Sequence, residues 1–327
     1  MGERMKNHLA VTIALFVAGV ADANGQNYPS RPITSIVPFA AGGPTDIITR
    51  VTAEHMRTTL GQPIIVENVV GAGGTIGVGR VARAAPDGYT IVLGNWGSFV
   101  VTGAIYKLSY DLRSDFEPIT PVTTEPLLIC TKQSAPPKDL RELLAWVKAN
   151  DDKLSVGTSG IGGPSHAAGV VFQQMTGTHF QMVPYRGAAP AAQALVAGQH
   201  DFGLYGPAAI LPHARAGTVK CHAVTSARRL TVAPEYPTVD EAGLPGLYVS
   251  VWHGYWAPKG THKSVIARLN AAATAALADD AVIKRLRDLG QEFWPREQQT
   301  PEVLAALQKA EIDKWWTIIK AAGIKAE

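Results

Sequence analysis

The sequence predicts an α/β protein of two domains, each built on a mixed, mainly parallel sheet flanked by helices. Two stretches, residues 33–93 and 127–225, alternate apolar strand-like runs with segments of helical apolar spacing. This alternation is typical of parallel sheets covered by helices. The length of 327 residues also favours two domains. If the two units face each other, the carboxyl ends of their strands border a cleft, where ligands bind in open α/β sheets.

In the first unit, the strand candidates are short apolar runs, and the helix candidates carry apolar residues at helical spacing. Gly61 ends the first helix, as glycine commonly does. The predicted elements are a strand over 33–39, a helix over 47–60, a strand over 64–69, a helix over 78–85 and a strand over 89–93.

The second unit repeats this layout, and a mainly helical segment follows it. Its predicted strands cover 127–131, 154–158, 180–184, 201–205 and 219–225. Helices are expected between consecutive strands from residue 138 onward, for example from Pro164 to Gly177. An extended run over 248–256 then precedes three helical stretches, 263–277, 281–289 and 301–322.

The composition excludes several classes of protein. Apolar residues make up 46% of the chain and charged residues 17%, which suits a packed core and neither disorder nor a collagen-like repeat. The net charge of +3 is too small to indicate a nucleic-acid partner. The nine histidines and two cysteines show no metal-ligand spacing, so no metal site is expected.

Residues 1–23 have the pattern of a signal peptide. Arg4 and Lys6 precede an apolar run over 9–20, and Ala21-Asp22-Ala23 resembles a cleavage site. The apolar run is too short to cross a bilayer. We therefore expect an exported mature protein that is soluble.

Export makes Cys130 and Cys221 candidates for a disulfide. Both lie in apolar, strand-like runs. Because a disulfide needs a specific separation of the two residues, the sequence leaves two alternatives open, a bridge or two buried free thiols.

The turn after the first strand has the features of an anion site. Residues 40–43 are small, Pro44 suits the first helical position, and Asp46 falls in the first helical turn. Free N–H groups at such a helix start can bind an anion. The alternative is an ordinary strand–helix turn without a ligand.

Other strand ends in both units are rich in hydrogen-bond donors. They hold Ser98, Thr158, Ser159 and the turn over 186–188. Four donor-rich turns in two facing domains favour a carboxylate ligand. Arg186 would either pair with that carboxylate or be solvated.

The enzyme alternatives have weak support. A glycine-rich loop over 71–77 resembles a dinucleotide loop, but the next strand ends in Gly94-Asn95-Trp96, without the acid or arginine that would hold a ribose. Ser165 and His166 are adjacent in the sequence at a helix start, where neighbouring side chains point apart. They are therefore not expected to act together as a catalytic pair. We therefore expect no cofactor and no catalytic residue.

Many short motifs, taken together and in order, resemble one known family. They include Tyr28-Pro29-Ser30-Arg31-Pro32-Ile33, Val37-Pro38-Phe39-Ala40-Ala41-Gly42-Gly43, Ala85-Pro86-Asp87-Gly88-Tyr89-Thr90, Pro164-Ser165-His166, Val183-Pro184-Tyr185-Arg186-Gly187 and Glu241-Ala242-Gly243-Leu244-Pro245-Gly246. The match covers essentially all of the mature chain. The sequence is similar to the extracytoplasmic solute receptors of tripartite tricarboxylate transporters, the Bug family.

The resemblance implies a two-domain periplasmic binding fold, type II-like, that closes on a small carboxylate. Domain 1 would comprise residues 24–125 and 252–327, and domain 2 residues 126–251. In the family, the turns that match 40–46 and 185–188 grip one carboxylate, largely through backbone N–H groups and waters. The implied partners are membrane transporter subunits or a sensor kinase, and we expect a periplasmic monomer that binds no nucleic acid.

Two departures from the family pattern bear on the ligand. Relatives often have Asn-Pro at Thr102-Gly103, and an Asp followed by Asn or Ser at Tyr205-Gly206. Loss of that acid would disfavour an ammonium group, which needs a paired anion when it is buried. Four aromatic residues would then either line a pocket for an apolar or aromatic carboxylate or belong to the core: Trp96, Phe99, Tyr205 and Trp252.

The sequence thus predicts a receptor for a small organic carboxylate, a dicarboxylate or an aromatic acid, that serves a tripartite transporter. The alternatives are a receptor that signals to a sensor kinase and an NADP-dependent enzyme. The predicted ligand-binding residues are Phe39, Ala41, Gly42, Thr45, Asp46, Trp96, Ser98, Thr158, Ser159, His166, Tyr185, Arg186, Gly187, Ala188 and Tyr205.

Overall fold

A computed structural model of the chain describes residues 28–185, 187–321 and 323. The predicted signal peptide over residues 1–23 and the predicted ligand contact Arg186 lie outside the described residues. Among the helices that the structure describes, none is both long and apolar enough to span a membrane.

Strands and helices alternate along most of the described chain. The strands are β1 (Ile33–Val37), β2 (Ile64–Asn68), β3 (Thr90–Asn95), β4 (Phe116–Pro126), β5 (Leu128–Lys132), β6 (Ser155–Thr158), β7 (Gln181–Pro184), β8 (Phe202–Tyr205), β9 (Val219–Val224), β10 (Ser250–Pro258) and β11 (Glu292–Phe293). The helices are α1 (Pro44–Leu60), α2 (Thr75–Ala82), α3 (Thr102–Ile105), α4 (Leu140–Ala149), α5 (Pro164–Thr176), α6 (Ala188–Val196), α7 (Pro207–Arg215), α8 (Lys263–Ala276), α9 (Asp280–Arg287) and α10 (Pro301–Ala321).

The strands form two sheets, one in each domain. The first has the order β11-β4-β10-β3-β1-β2, and the second has the order β7-β6-β8-β5-β9. β1 is parallel to β2 and β3, and β6 is parallel to β7 and β8. β10 and β5 run antiparallel to their neighbours. The predicted mixed α/β fold of two domains is confirmed, whereas the predicted domain boundaries stay a prediction.

Local sequence features explain β1 and α1, the two elements on either side of the first turn of the cleft. Ile33, Ile36 and Val37 of β1 are fully buried, as expected for a strand with neighbours on both sides and helices on its faces. α1 begins at Pro44, as the fit of proline to the first helical position predicts, three residues before its apolar spacing starts. Gly61 ends it with φ 73°, and its N–H donates to the carbonyl of Arg57.

β4 and the two-residue strand β11 were not predicted from the sequence, and β4 is the longer of the two. Pro118 and Pro121 interrupt its pattern, and proline within an apolar run argues against a central strand. The structure accommodates both prolines through register irregularities against β10, where Pro121 faces Gly254 and Pro118 faces Trp256. β4 leads into Leu127, where the chain passes from the first sheet to the second.

The two cysteines form a disulfide in the second sheet. Cys130 of β5 lies opposite Cys221 of β9 in the antiparallel pair, with 4.0 Å between their Cα atoms. Of the two alternatives that the sequence left open, the structure therefore shows the bridge, which joins residues 91 positions apart.

Candidate functional site

A cleft of about 570 Å³ lies between the two domains. The first domain lines it with the start of α1 and with residues of β3, β4 and β10, and the second domain lines it with the starts of α5, α6 and α7. The apolar part of the wall includes Phe39, Ile47, Ile48, Leu127, Leu204, Val251 and Leu289. Its polar side chains include Thr45, Asn95, Glu125, Ser159, Ser165, His253 and Gln291.

Four helices begin at this cleft. Glycine is the N-cap of each, at Gly43, Gly163, Gly187 and Gly206, and among the described residues no side chain caps any of these helices. Proline opens α1, α5 and α7. The first N–H groups of a helix lack intrahelical partners, and the macrodipole places partial positive charge there. The cleft is therefore suited to anions.

Asp46 supports the turn before α1 from behind the cleft wall. Its buried carboxylate accepts hydrogen bonds from the N–H of Gly42 at 2.9 Å, from Asn68 Nδ2 at 2.9 Å and from Arg50 Nε at 3.0 Å. Burial alone would raise the pKa of Asp46, but these hydrogen bonds outweigh burial and hold the pKa below its usual value. An ionised Asp46 thus fixes the turn without lining the cleft.

A chain of hydrogen bonds runs from the crossing strand β4 to the start of α1. Gln291 Nε2 donates to Glu125 Oε2 at 2.6 Å, and Thr123 Oγ1 donates to Gln291 Oε1 at 2.8 Å. His253 lies between two hydroxyls, 3.4 Å from Thr123 Oγ1 and 3.3 Å from Thr45 Oγ1. These hydrogen bonds connect four polar side chains of the cleft wall, namely Thr45, Glu125, His253 and Gln291.

The two ionisable groups of this hydrogen-bond network have pKa values that are shifted in favour of their neutral forms. Burial raises the pKa of Glu125 to about 7, even though the hydrogen bond from Gln291 opposes the shift. Burial lowers the pKa of His253 to about 3. Near neutral pH, His253 is therefore uncharged, and Glu125 is close to half protonated.

Metal-ligand geometry occurs elsewhere, on the surface. Asp151, Asp152 and His179 bring their ligand atoms within 4.8 Å of one another, and all three residues are exposed. None of them lines the cleft. Within the described chain, the cleft itself offers one carboxylate and one histidine, too few for a protein-built metal site.

Comparison with known proteins identifies the family. The family model TctC, the tripartite tricarboxylate transporter family receptor, matches residues 48–324. The chain belongs to this family. Its members are binding proteins, so this receptor is not an enzyme, and the NADP-dependent alternative is dismissed.

Curated relatives and solved structures agree with this assignment. BugT of Bordetella pertussis is 33% identical over 97% of this chain and 98% of its own length. A UPF0065 protein of Agrobacterium vitis, from the ttuE-ttuC' intergenic region, is 37% identical over 96% of this chain and 90% of its own. The periplasmic binding protein BugD, whose structure is solved, is 41% identical in sequence to this chain, and the two structures match with a TM-score of 0.78. The match covers 92% of this chain and 100% of the BugD chain.

Two further structures of similar proteins carry ligands. MatC from Rhodopseudomonas palustris, with bound malate, is 41% identical to this receptor, with a TM-score of 0.78 over 89% of this chain and 100% of its own. Rpa4515 of R. palustris, with adipate, is 31% identical, with a TM-score of 0.81 over 91% of this chain and 99% of its own.

The structure brings together some of the predicted contacts of the receptor and places others behind them. Those on the cleft wall are Phe39, Gly42, Thr45, Ser159, Gly187 and Ala188. Asp46, Ser98 and Thr158 are buried behind the wall, and Ala41 lies on the exposed side of the turn. Ser98 supports the wall residue Asn95, because its backbone N–H donates to Asn95 Oδ1 at 3.1 Å.

Four other predicted contacts do not line the cleft. His166 is on a separate surface groove with Val170 and Gln173. Tyr185 and Tyr205 both contact His200, at 3.3 Å from Nδ1 and 2.6 Å from Nε2. Trp96 is fully buried and packs edge-on against a tryptophan of α10.

The aromatic pocket considered from the sequence does not form. Phe99 stacks on Trp256 with 3.7 Å between the ring centroids, and Trp252 is also buried. None of the four aromatic residues proposed for the pocket lines the cleft. Burying such large rings in the core is strongly favourable, and of the two alternatives that the sequence left open, the structure shows core aromatics.

Sequence reasoning missed Asn95, Glu125, His253 and Gln291. Glu125 offered the clearest signal, because it is the one acid in the run Thr123–Leu127, where the resemblance implies that the chain crosses between domains. An ionisable residue within a crossing segment can reach the cleft. Gln291, in a turn after α9, gave no comparable signal.

Proposed function

We propose that this receptor captures a small aliphatic dicarboxylate in the periplasm and presents it to the membrane subunits of a tripartite transporter. The main support for the proposal is that four helices begin at one cleft. None of these helix starts is capped by a described side chain. One carboxylate would lie between the start of α1 and the start of α6, at Thr45 and Ala188, which line the cleft from different helices.

The walls between the helix starts favour an aliphatic ligand. Phe39, Leu127 and Val251 can cover methylene groups. The cleft volume of about 570 Å³ is within the usual range for small-molecule sites. Malate and adipate, bound by MatC and Rpa4515, are dicarboxylates with four and six carbons.

Export to the periplasm and a transporter partner also belong to the proposal. The signal-peptide pattern over residues 1–23 supports export. The family description supports a transporter partner.

A calorimetric and thermal-unfolding screen tests the function. The mature protein is unfolded, washed and refolded to remove carried-over ligand, then mixed with malate, succinate, glutarate, adipate, benzoate, aspartate and NADP. A ligand at 100 times its Kd adds about 2.7 kcal/mol of stability, a rise in Tm of roughly 5–10 °C. A rise with aliphatic dicarboxylates alone supports the proposal. A rise only with benzoate, aspartate or NADP contradicts it.

A further inference from the structure

Glu125 lines the cleft, beside the start of α7. It is the second-last residue of β4, directly before the crossing between domains, and is 7% exposed. Its Oε2 accepts a hydrogen bond from Gln291 Nε2 at 2.6 Å. Its Oε1 accepts none from a described residue and lies beside Gly206, where an added Cβ would come within 1.8 Å of it. Only glycine leaves room for this oxygen at the start of α7.

Among the residues that the structure describes, the cleft wall contains no charged side chain besides Glu125. β10 contributes Val251 and the neutral His253, and the segment before β11 contributes Leu289 and Gln291. Two acids that follow wall residues directly in the sequence have partners of their own. Glu292 of β11 accepts hydrogen bonds from Thr231, and Asp46 of α1 is paired with Arg50.

We propose that Glu125 selects dicarboxylates by donating a hydrogen bond, as a neutral acid, from Oε1 to the distal carboxylate of the ligand. The inference rests on the proposed function and adds the group that recognises the second carboxylate. An ionised Glu125 would repel that carboxylate in a desolvated cleft, whereas a neutral one satisfies it. Burial supports this protonation state, because it raises the pKa of Glu125 to about 7.

The opposite role for Glu125 is binding an ammonium group as a carboxylate. Two observations favour the neutral acid. The four helix starts attract a ligand of high negative charge. The described neighbours of Glu125 supply no positive charge that would keep its carboxylate ionised in the free protein. An amino acid as the preferred ligand is therefore an outcome that would contradict the inference.

The pH dependence of binding tests this inference. Calorimetry measures the Kd of malate, adipate and pentanoate at pH 6 and pH 8. If binding requires a proton on a group of pKa about 7, the dicarboxylates bind about tenfold more weakly at pH 8, with uptake of about 0.9 proton per ligand at that pH. Pentanoate, which has no distal carboxylate, binds equally at both pH values.

Two variants make the test specific. Glu125→Gln keeps a hydrogen-bond donor but cannot ionise, so it binds both dicarboxylates at pH 8 about as tightly as the wild type does at pH 6. Glu117→Gln makes the same change on the same strand, at a side chain paired with Lys259, and keeps the wild-type pH dependence. Proton uptake by the wild type, measured in buffers of different ionisation enthalpy, keeps the test valid if Glu125→Gln does not fold.

The outcomes separate the inference from the proposed function. Dicarboxylate binding that is independent of pH, or tighter at pH 8, overturns the role of Glu125 and leaves the proposed function standing. Preferential binding of aspartate that requires Glu125 also overturns it. Failure of every dicarboxylate to bind overturns both.

Discussion

Asp46 organises the candidate anion site although its own charge is negative. The carboxylate is 2% exposed and accepts hydrogen bonds from the turn, from Asn68 and from Arg50. Asn68 also donates to the carbonyl of Phe39 at 2.9 Å. A buried acceptor thus fixes the conformation of the turn that lines the cleft.

Replacing Asp46 by Ala should weaken ligand binding by at least tenfold. The Gly42 N–H and the Asn68 amide would lose a common acceptor, and the turn would lose its fixed conformation. Calorimetry with the best dicarboxylate gives the affinity, and thermal unfolding shows whether the fold persists.

The matched control is Glu54→Ala, which removes an exposed acid of the same helix that pairs with Arg57. Such an exposed ion pair contributes little, so we expect less than about a threefold change in Kd. An unchanged Kd in a folded Asp46→Ala protein would contradict the supporting role of Asp46.

At the scale of elements, the helix starts carry the binding argument. α1 and α6 come from different domains, and both begin at the cleft with glycine as the N-cap. Backbone N–H groups form this part of the site, so side-chain substitutions alone would not reveal it. Substitution by proline can reveal this part of the site, because proline removes one backbone N–H group and suits the first helical position.

Ala188→Pro should weaken dicarboxylate binding roughly ten- to hundredfold. It removes the first N–H of α6, and a hydrogen bond to a charged group contributes about 1.5–3 kcal/mol. The helix should survive, because Gly187, with φ 121° and ψ 171°, lies outside the α region that a following proline disfavours.

Ala188→Ser keeps the N–H group and serves as the control, with an expected Kd within about threefold of the wild type. Equal affinity of the two variants, measured by calorimetry, would show that this N–H does not bind the ligand.

The disulfide between β5 and β9 should stabilise the second domain without affecting binding. Its loop closes 91 positions, and such a bridge contributes roughly 2–5 kcal/mol. We expect the double variant Cys130→Ser/Cys221→Ser to lose that amount in urea unfolding. Because neither cysteine lines the cleft, its Kd should stay within about twofold. Wild type with reductant is the control, and unchanged stability in both would contradict the expectation.

For the whole molecule, three buried histidines predict lability to acid. Burial lowers the pKa of His200 and His222 to about 4 and that of His253 to about 3. A folded-state pKa below the unfolded value means that stability is lost as the pH falls below about 6.5, by about 2 kcal/mol per histidine at pH 5. Glu125, with its raised pKa, partly offsets this loss.

Urea unfolding at pH 7 and pH 5 checks this expectation, with a predicted net loss of about 3 kcal/mol at pH 5. His222→Gln should reduce the loss by about 2 kcal/mol, because that position no longer titrates. Equal or greater stability of the wild type at pH 5 would contradict the account of these histidines.

The sequence could predict the parts of this molecule that depend on near neighbours in the chain. The turn over 39–46 contains its own glycines, its proline and its supporting acid, so its place at the cleft was predictable. Contacts between distant residues were not, and Gln291 and Glu125 lie 166 positions apart. Packing in the core also decides which way a large ring at the end of a strand points. The orientation of Tyr205 was for this reason not predictable from the sequence.

A crystal structure of the tightest dicarboxylate complex, grown at pH 6, tests the central claim most directly. We predict one carboxylate within hydrogen-bond distance of backbone N–H groups at the starts of α1 and α6, with the second carboxylate at Glu125 Oε1. A ligand seated outside the cleft, or one with a cationic group at those helix starts, would contradict the account.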